Sequence, residues 1–166
     1  AKYFQDKEVI VIGGGNSAVE ESEFISKFAS KITVIQNLEK LTANKEACEK
    51  LLANQKVTAY YNSVPTIFEK VGDKMSVTVE NTSKKEIFKY EADGVFVFVG
   101  MKPNTDLIKE DLEKDKWGYL KTDEDMHTSI PDIFAIGDVT SKKYRQITTA
   151  VNDGTIAAIV AAKELE

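Results

Sequence analysis

A chain of 166 residues, of which 42% are hydrophobic and 30% charged, is long enough for one well-formed core, or for one domain and part of another. The net charge of −5 argues against nucleic acid or an anionic membrane as the main partner, and no apolar run approaches the ~20 residues of a membrane span. Cys48 is the single cysteine and nothing at the N-terminus resembles a signal peptide, so the sequence predicts a cytoplasmic protein without internal disulfides.

The first motif is a strand that ends in three glycines. Residues 9–12 are apolar and mostly β-branched, which predicts a buried strand, and helical spacing begins at Ser17. In a strand–turn–helix of this kind the first glycine permits a tight turn, and the third lets backbone N–H groups approach a pyrophosphate. Ala18 in the third position of the motif permits close helix–strand packing. We therefore predict that the helix N-terminus binds a dinucleotide, and the alternative is an ordinary glycine-rich turn. The residues predicted to bind are Gly13, Gly14, Gly15, Asn16, Ser17 and Ala18.

The residues after this turn predict alternating helices and strands. Ser17 and Glu20 have the spacing of a capping box, which predicts that they fix the start of the first helix. Cys48 lies among the apolar positions of the second helix, which favours a core role for this thiol over a redox role. The predicted elements are a helix from residue 17, a helix at 44–54, and strands at 32–35 and 57–61.

The pattern then changes to short strands. Three runs, at 66–71, 76–80 and 87–90, are separated by turn residues, which predicts an antiparallel meander. Residues 95–99 are continuously apolar and predict a strand buried on both faces, which ends at Gly100. The sequence thus predicts an α/β fold, with a Rossmann-like parallel sheet and an antiparallel β-meander.

The rest of the chain carries weaker signals. His127, the only histidine, is predicted to lie in a surface loop rather than to act as a catalytic base, because no nucleophile or partner carboxylate arrangement is evident around it. Residues 133–136 predict a short buried strand that leads into Gly137 and Asp138. Asp138 would either accept a hydrogen bond from a sugar or polyol hydroxyl or cap a turn.

A long helix is predicted after Arg145. This residue is the single arginine of the chain, and lysine cannot supply its planar fork. The helix carries a stripe of small residues that includes Gly154, and a glycine inside a helix costs about 1 kcal/mol relative to alanine. We therefore expect another backbone, or a planar ligand, to approach Gly154 closely.

Four strings resemble one family, the low-molecular-weight thioredoxin reductases among the pyridine-nucleotide disulfide oxidoreductases. They are GGGNSAVEE at 13–21, VGMKPNT at 99–105, TSIPDIFAIGDV at 128–139 and YRQITTA at 144–150. The strings occur in the family's order over nearly the whole chain. The resemblance implies a flavoprotein that passes electrons from NAD(P)H through FAD to a protein disulfide, with a thioredoxin-like protein as partner and a homodimer as the usual assembly.

The resemblance also implies a domain organisation. Residues 1–101 resemble the NAD(P)H-binding domain, and residues 102–166 resemble the C-terminal segment of the FAD-binding domain. Asp138 would hydrogen-bond the ribityl chain of the flavin, and the long helix would direct its N-terminus at the pyrimidine end of the ring. The further residues implied to bind cofactor are Gly100, Gly137, Asp138, Arg145, Gln146 and Ile147; no catalytic residue and no metal site is predicted.

Two departures from the family pattern affect the expected function. The family's redox-active CxxC precedes the glycine fingerprint, and this chain begins after that point. We therefore expect the chain to be the middle and end of a longer protein, able to bind nucleotide but inactive alone. The second departure lies in the nucleotide-selectivity loop, where NADPH-using members carry arginines. The residues at these positions are Gln36, Asn37, Leu38 and Thr42.

The altered loop predicts a slight preference for NADH over NADPH. Lys40 and Lys45 cannot form the bidentate pair that an arginine makes with a 2′-phosphate. The acidic residue typical of NAD binding at this strand end is also absent. Gln36 stands in its place and is expected to hydrogen-bond a ribose hydroxyl. Two alternatives remain open, a ferredoxin-linked flavin reductase and a non-catalytic nucleotide-binding module. The intact glycine fingerprint counts against ferredoxin as the electron donor.

Overall fold

The computed structural model describes residues 2–166 and separates two compact units, of which the first ends at Gly100 and the second is Met101–Glu166. The strands of the first unit are β1 (Glu8–Ile12), β2 (Lys31–Ile35), β3 (Val57–Tyr60), β4 (Ser63–Val71), β5 (Lys74–Asn81), β6 (Glu86–Ala92) and β7 (Gly94–Val97). Its helices are α1 (Asn16–Ile25) and α2 (Lys45–Leu52), after a 3-10 turn at Lys2–Phe4. The second unit contains a 3-10 turn (Gly137–Val139) and helix α3 (Ile147–Glu164).

The first unit combines two sheets, as predicted. Four parallel strands follow the order β3-β2-β1-β7, and β4-β5-β6 form an antiparallel meander. Ile10 of β1 pairs with Thr33 of β2 on one side and with Val95 of β7 on the other. Because β1, β2 and β7 are parallel, their carboxyl ends meet at one edge of the sheet, where ligands bind in folds of this class. The predicted α/β fold is confirmed.

Both faces of the parallel sheet are covered, which explains why β1 reads as a continuous apolar run. Val9 and Val11 point to one face and pack with residues of α1, including Ala18, while Cys48 of α2 packs against the same core. The alternate residues of β1, including Ile12, point to the other face and pack against the meander. These two cores fix β1 and its neighbours, and so the edge at which they end.

Helix α1 begins earlier than predicted. Gly15 is its N-cap residue, in an extended conformation, and no side chain caps the helix. Ser17 and Glu20 both lie on the exposed side, so the prediction that they fix the helix start is wrong. The glycine turn sets the start instead, and the N–H groups of the first turn are left without a side-chain cap.

The prediction for β7 is also partly wrong. The strand ends at Val97, whose side chain is 54% exposed, and Val99 lies beyond it and is exposed. It is an edge strand that pairs only with β1 in the described part of the chain. Val95 packs against one core and Phe96 against the other, so only the first half of the apolar run is covered on both faces. Continuous hydrophobicity alone does not distinguish an edge from a central strand.

The second unit has little regular structure before α3. The strand predicted at 133–136 does not form: this segment makes a single isolated bridge, between His127 and Phe134. A Cβ added at Gly154 would meet only the Ile136 side chain, at 3.7 Å, so no backbone of the described residues approaches this glycine closely. The predicted long helix does form, as α3. Within the described residues, no helix has the length and hydrophobicity of a membrane span.

His127 lies between two carboxylates, which contradicts the reason given for its surface-loop position. Its Nδ1 is 3.2 Å from Asp123 Oδ2 and its Nε2 is 2.8 Å from Glu164 Oε1, at the end of α3. The hydrogen bond to Glu164 is the largest cause that raises the pKa of His127 above 6.5. The sequence alone did not predict that Glu164 lies beside His127, because the two residues are far apart along the chain. His127 therefore joins the 123–134 loop to the end of α3.

We predict a pH-dependent stabilisation from His127. Because its folded pKa is raised, the stabilisation is fully present below the unfolded value of 6.5 and is lost as the pH rises through the folded value. The melting temperatures of the native chain and of His127→Gln should differ more at about pH 5.5 than at about pH 8.5. A difference that does not change with pH would show that the imidazolium is not what holds the end of α3.

Candidate functional site

A cleft of about 490 Å³ opens at the carboxyl edge of the parallel sheet. The glycine turn, the loop after β2, the start of β4 and the segment after β7 form its walls. Its lining residues are Ile12, Gly13, Gly14, Gly15, Ile35, Gln36, Asn37, Leu38, Thr42, Ser63, Val64, Pro65, Phe98, Val99 and Gly100. The cleft therefore brings together most of the residues that the sequence predicts to bind a dinucleotide.

Three residues of the predicted fingerprint do not line the cleft. Asn16 and Ser17 are exposed in the first turn of α1, and Ala18 is buried below that turn in the core. Sequence reasoning missed the wall formed by residues 63–65 and Phe98. These residues carry no nucleotide-binding signature, and the pairing of strands alone brings them to the cleft.

The fold accounts for two of the three glycines and leaves the third unexplained. Gly13 has φ +124°, and a Cβ there would lie 2.3 Å from the carbonyl oxygen of Phe98. A Cβ on Gly14 would lie 2.6 Å from Cδ of Gln36. Gly15 has φ −81°, and its nearest neighbour would be Thr42 Oγ1 at 3.9 Å. Internal packing therefore tolerates a side chain at Gly15, which would project into open space beside the helix N-terminus.

Backbone hydrogen bonds join the glycine turn to the loop after β2. The N–H of Gly13 donates to the carbonyl of Ile35 at 2.9 Å, and the N–H of Thr42 donates to the carbonyl of Gly14 at 2.7 Å. Asn16 accepts a hydrogen bond at its side-chain oxygen from the N–H of Asn44, at 3.0 Å. The turn and the loop are thus held as one unit at the edge of the sheet.

The side chains that line the cleft are uncharged. Positive potential comes from the N-terminus of α1, equivalent to roughly half an elementary charge, and no acidic residue lies in its first turn. Lys40 lies in the loop and Lys45 begins α2; both are exposed and neither lines the cleft. The Nζ of Lys45 lies 3.8 Å from Glu49 Oε1. The cleft therefore offers backbone donors and a helix N-terminus to an anionic ligand, with no arginine.

The predicted flavin residues cluster around the N-terminus of α3. Gly137 donates its N–H to Asp153 Oδ2 at 2.8 Å, and Lys142 forms an ion pair with the same carboxylate. Burial raises the pKa of Asp153, but the hydrogen bonds from Lys142 and Gly137 outweigh that effect and lower it overall. Asp138, in the 3-10 turn, is exposed.

Arg145 uses its planar fork within the second unit. Its Nε donates to the carbonyl of Asp138 and its Nη2 to the carbonyl of Thr140, both at 3.2 Å. The guanidinium also lies 3.7 Å from the ring centroid of Tyr119. Gln146 forms a capping box with Thr149 at the start of α3. Arg145 therefore holds the 3-10 turn against the start of the helix.

We predict that Gly13 and Gly15 differ sharply in their effect on stability. Gly13→Ala forces a left-handed backbone conformation and a clash with the Phe98 carbonyl, and should cost at least about 2 kcal/mol of unfolding free energy. Gly15→Ala changes only an N-cap residue and should cost about 1 kcal/mol or less. Urea denaturation monitored by far-UV circular dichroism measures both values. Equal losses would contradict the conclusion that packing requires a glycine at position 13 and not at position 15.

We also predict that lysine cannot replace Arg145. Arg145→Lys keeps the charge but loses the two-carbonyl fork, and should cost about 1–3 kcal/mol of unfolding free energy of the second unit. Trp117, the only tryptophan, lies in this unit and reports its unfolding by fluorescence. Lys109→Arg, at an exposed lysine of the same unit, is the control and should leave the transition unchanged. If Arg145→Lys unfolds at the same denaturant concentration as the native chain, the two hydrogen bonds of the guanidinium do not stabilise the second unit.

The combination of a parallel sheet and an antiparallel meander has counterparts among known proteins. The sequence profile described as pyridine nucleotide-disulphide oxidoreductase matches residues 2–154. A 34.2 kDa protein in the rubredoxin operon of Clostridium pasteurianum is 42% identical over 160 residues, covering 96% of this chain and 52% of the relative. Thioredoxin reductase of Peptoclostridium litorale is 39% identical over 172 residues, covering 100% of this chain and 55% of the relative. The crystal structure of Lactococcus lactis thioredoxin reductase has a TM-score of 0.79 at 36% identity, and the match covers 98% of this chain and 54% of that protein.

The chain belongs to the pyridine nucleotide-disulphide oxidoreductase family. Within that family, the predicted resemblance to thioredoxin reductases is confirmed. The chain spans about half the length of the curated relatives it matches.

Proposed function

We propose that the cleft at the edge of the parallel sheet binds a nicotinamide dinucleotide, with its pyrophosphate at the N-terminus of α1. The observation that carries this proposal is Gly15: packing within the chain does not require a glycine there, whereas the approach of a phosphate group does. The residues proposed to contact the nucleotide are Gly13, Gly14, Gly15, Asn16, Ser17, Asn37, Leu38, Thr42 and Gly100. The buried Ala18 would contribute by letting α1 pack closely beneath the turn.

We propose a preference for NADH over NADPH. A 2′-phosphate binds best to a bidentate arginine, and the cleft is lined by uncharged side chains. Lys40 lies outside the lining, and Lys45 is partnered with Glu49. The exposed Asn37 at the mouth of the cleft can donate to or accept from a ribose hydroxyl.

For the whole protein we propose a thioredoxin-reductase-like activity, in a cytoplasmic homodimer with a thioredoxin-like partner. FAD, when bound, would accept a hydride from the nicotinamide and pass the electrons on towards a protein disulfide. The exposed Asp138 and Ile147 beside the N-terminus of α3 suit a ligand with polyol and planar parts, with Gly137 and Gln146 beside them. Arg145 would act there through the backbone that it holds.

For this chain alone we propose nucleotide binding without turnover. Its single cysteine, Cys48, packs against the core of the first unit, so the chain does not itself carry a redox-active pair of thiols. A ferredoxin-linked flavin reductase is the alternative for the whole protein. The open helix N-terminus at Gly15 favours the dinucleotide as donor over ferredoxin.

The test is a calorimetric titration of the chain with NADH and with NADPH. The native chain should bind NADH more tightly. Gly15→Val should lower affinity for both nucleotides at least about tenfold, with Gly15→Ala in between, because side chains of increasing size fill the space of the pyrophosphate. Ser83→Val, at an exposed turn between β5 and β6, should bind as the native chain does.

Circular dichroism and the melting temperature show whether each variant is folded. Unchanged affinity in folded Gly15→Val would contradict the site. Tighter binding of NADPH would contradict only the proposed selectivity. If the folded native chain binds neither nucleotide, the ferredoxin-linked alternative is favoured.

A further inference from the structure

We propose that Gln36 is a positioning residue, which holds the loop after β2 in the shape that admits the ribose end of the dinucleotide and does not itself bind the nucleotide. The inference rests on the proposed function of the cleft. It differs from the expectation drawn from the sequence, in which the Gln36 amide hydrogen-bonds a ribose hydroxyl. The distinction decides which groups of the loop set nucleotide selectivity.

The amide of Gln36 is buried and engaged within its own loop. The residue is only 4% exposed. Its Nε2 donates to the carbonyl of Lys40 at 3.1 Å, and its Oε1 accepts from the N–H of Asn37 at 3.1 Å. One side chain thus spans the loop from its first residue to its fifth. A ligand that drew the amide outwards would have to break both of these bonds.

The middle glycine of the fingerprint provides room for this amide. A Cβ on Gly14 would lie 2.6 Å from Cδ and 2.7 Å from Nε2 of Gln36, and 3.0 Å from Cδ2 of Leu41. The carbonyl of Gly14 also accepts the N–H of Thr42 at 2.7 Å, which fastens the far end of the loop. Gln36 is therefore enclosed by the glycine turn above it and by the loop around it.

The backbone of Gln36 is fixed as firmly as its side chain. Its N–H donates to the carbonyl of Tyr60 and its carbonyl accepts from Ser63, both at 2.9 Å. The loop leaves Asn37 and Leu38 exposed at the mouth of the cleft, and the carbonyl of Leu38 accepts from Asn62 at 3.0 Å. The groups presented to a ligand are therefore those of residues 37 and 38, in an arrangement that Gln36 maintains.

The role requires an amide, because Gln36 donates at one end and accepts at the other. A glutamate at this position could accept from Asn37 but would place a carboxylate oxygen against the carbonyl of Lys40. The two interpretations of Gln36 therefore predict opposite results for Gln36→Glu. A direct ligand would improve as glutamate, since a carboxylate is the usual partner of the ribose hydroxyl in NAD-binding folds. If Gln36 is a positioning residue, Gln36→Glu would disrupt the conformation of the loop and weaken nucleotide binding.

The experiment measures amide hydrogen exchange in the nucleotide-free chain and nucleotide affinity side by side. For Gln36→Ala we expect exchange at Asn37 and Thr42 to be at least about tenfold faster, and for Gln36→Glu, which can still accept from Asn37, we expect this at Thr42; the amides of β1 should be unchanged. We expect the dissociation constants for NADH and NADPH to rise by similar factors. Asn37→Ala is the matched contrast: it should weaken NADH binding without changing exchange at Thr42.

Native exchange rates together with tighter NADH binding by Gln36→Glu would overturn the proposal and make Gln36 a direct ligand. If the Gln36 variants do not fold, Gly14→Ala supplies the second test, since its methyl group displaces the amide while Gln36 itself is kept. It should give the same faster exchange, and native rates there would overturn the proposal. If the native chain binds no nucleotide, the proposed function fails, while the exchange rates still decide whether Gln36 holds the loop.

Discussion

The close approach of the glycine turn to the end of β2 is the constraint on which the first unit depends. Gly13 and Gly14 have no side chains at the points where Phe98 and Gln36 come nearest, and the hydrogen bond from Thr42 to Gly14 closes the arrangement. This contact places the N-terminus of α1 beside the loop after β2. A cleft at the carboxyl edge of the sheet follows, lined by uncharged groups.

In both units, a polar side chain that was expected to bind a cofactor forms hydrogen bonds with the backbone of its own unit. Gln36 spans the loop after β2, and Arg145 joins the carbonyls of Asp138 and Thr140. In each case the exposed neighbours are the groups available to a ligand: Asn37 in the first unit and Asp138 in the second. In the proposed sites, recognition would therefore depend on the shape of the backbone, which one buried or half-buried side chain can set.

The sequence predicted the parallel sheet, the meander and the glycine turn because burial on both faces of β1 and the absence of side chains leave strong local signals. It failed where the deciding contact is distant along the chain. The carboxylate of Glu164 beside His127, the edge position of β7 and the wall at residues 63–65 all depend on how elements pair. The capping-box prediction at Ser17 failed because the turn geometry, rather than a side chain, starts α1.

The different neighbours of the three glycines have a consequence for how such chains diverge. Gly13 is tied to folding by its positive φ and by the nearby carbonyl of Phe98, so a descendant that lost the proposed dinucleotide would still have to keep it. Gly14 makes room only for the side chains of Gln36 and Leu41. Gly15 is the N-cap residue of α1, and packing leaves room for a side chain there, so under the proposed function it would be free to change once the ligand was lost. Among diverging copies of this domain, the residue at position 15 would therefore record whether the proposed nucleotide binding is still under selection, whereas a glycine at position 13 would record only that the domain folds.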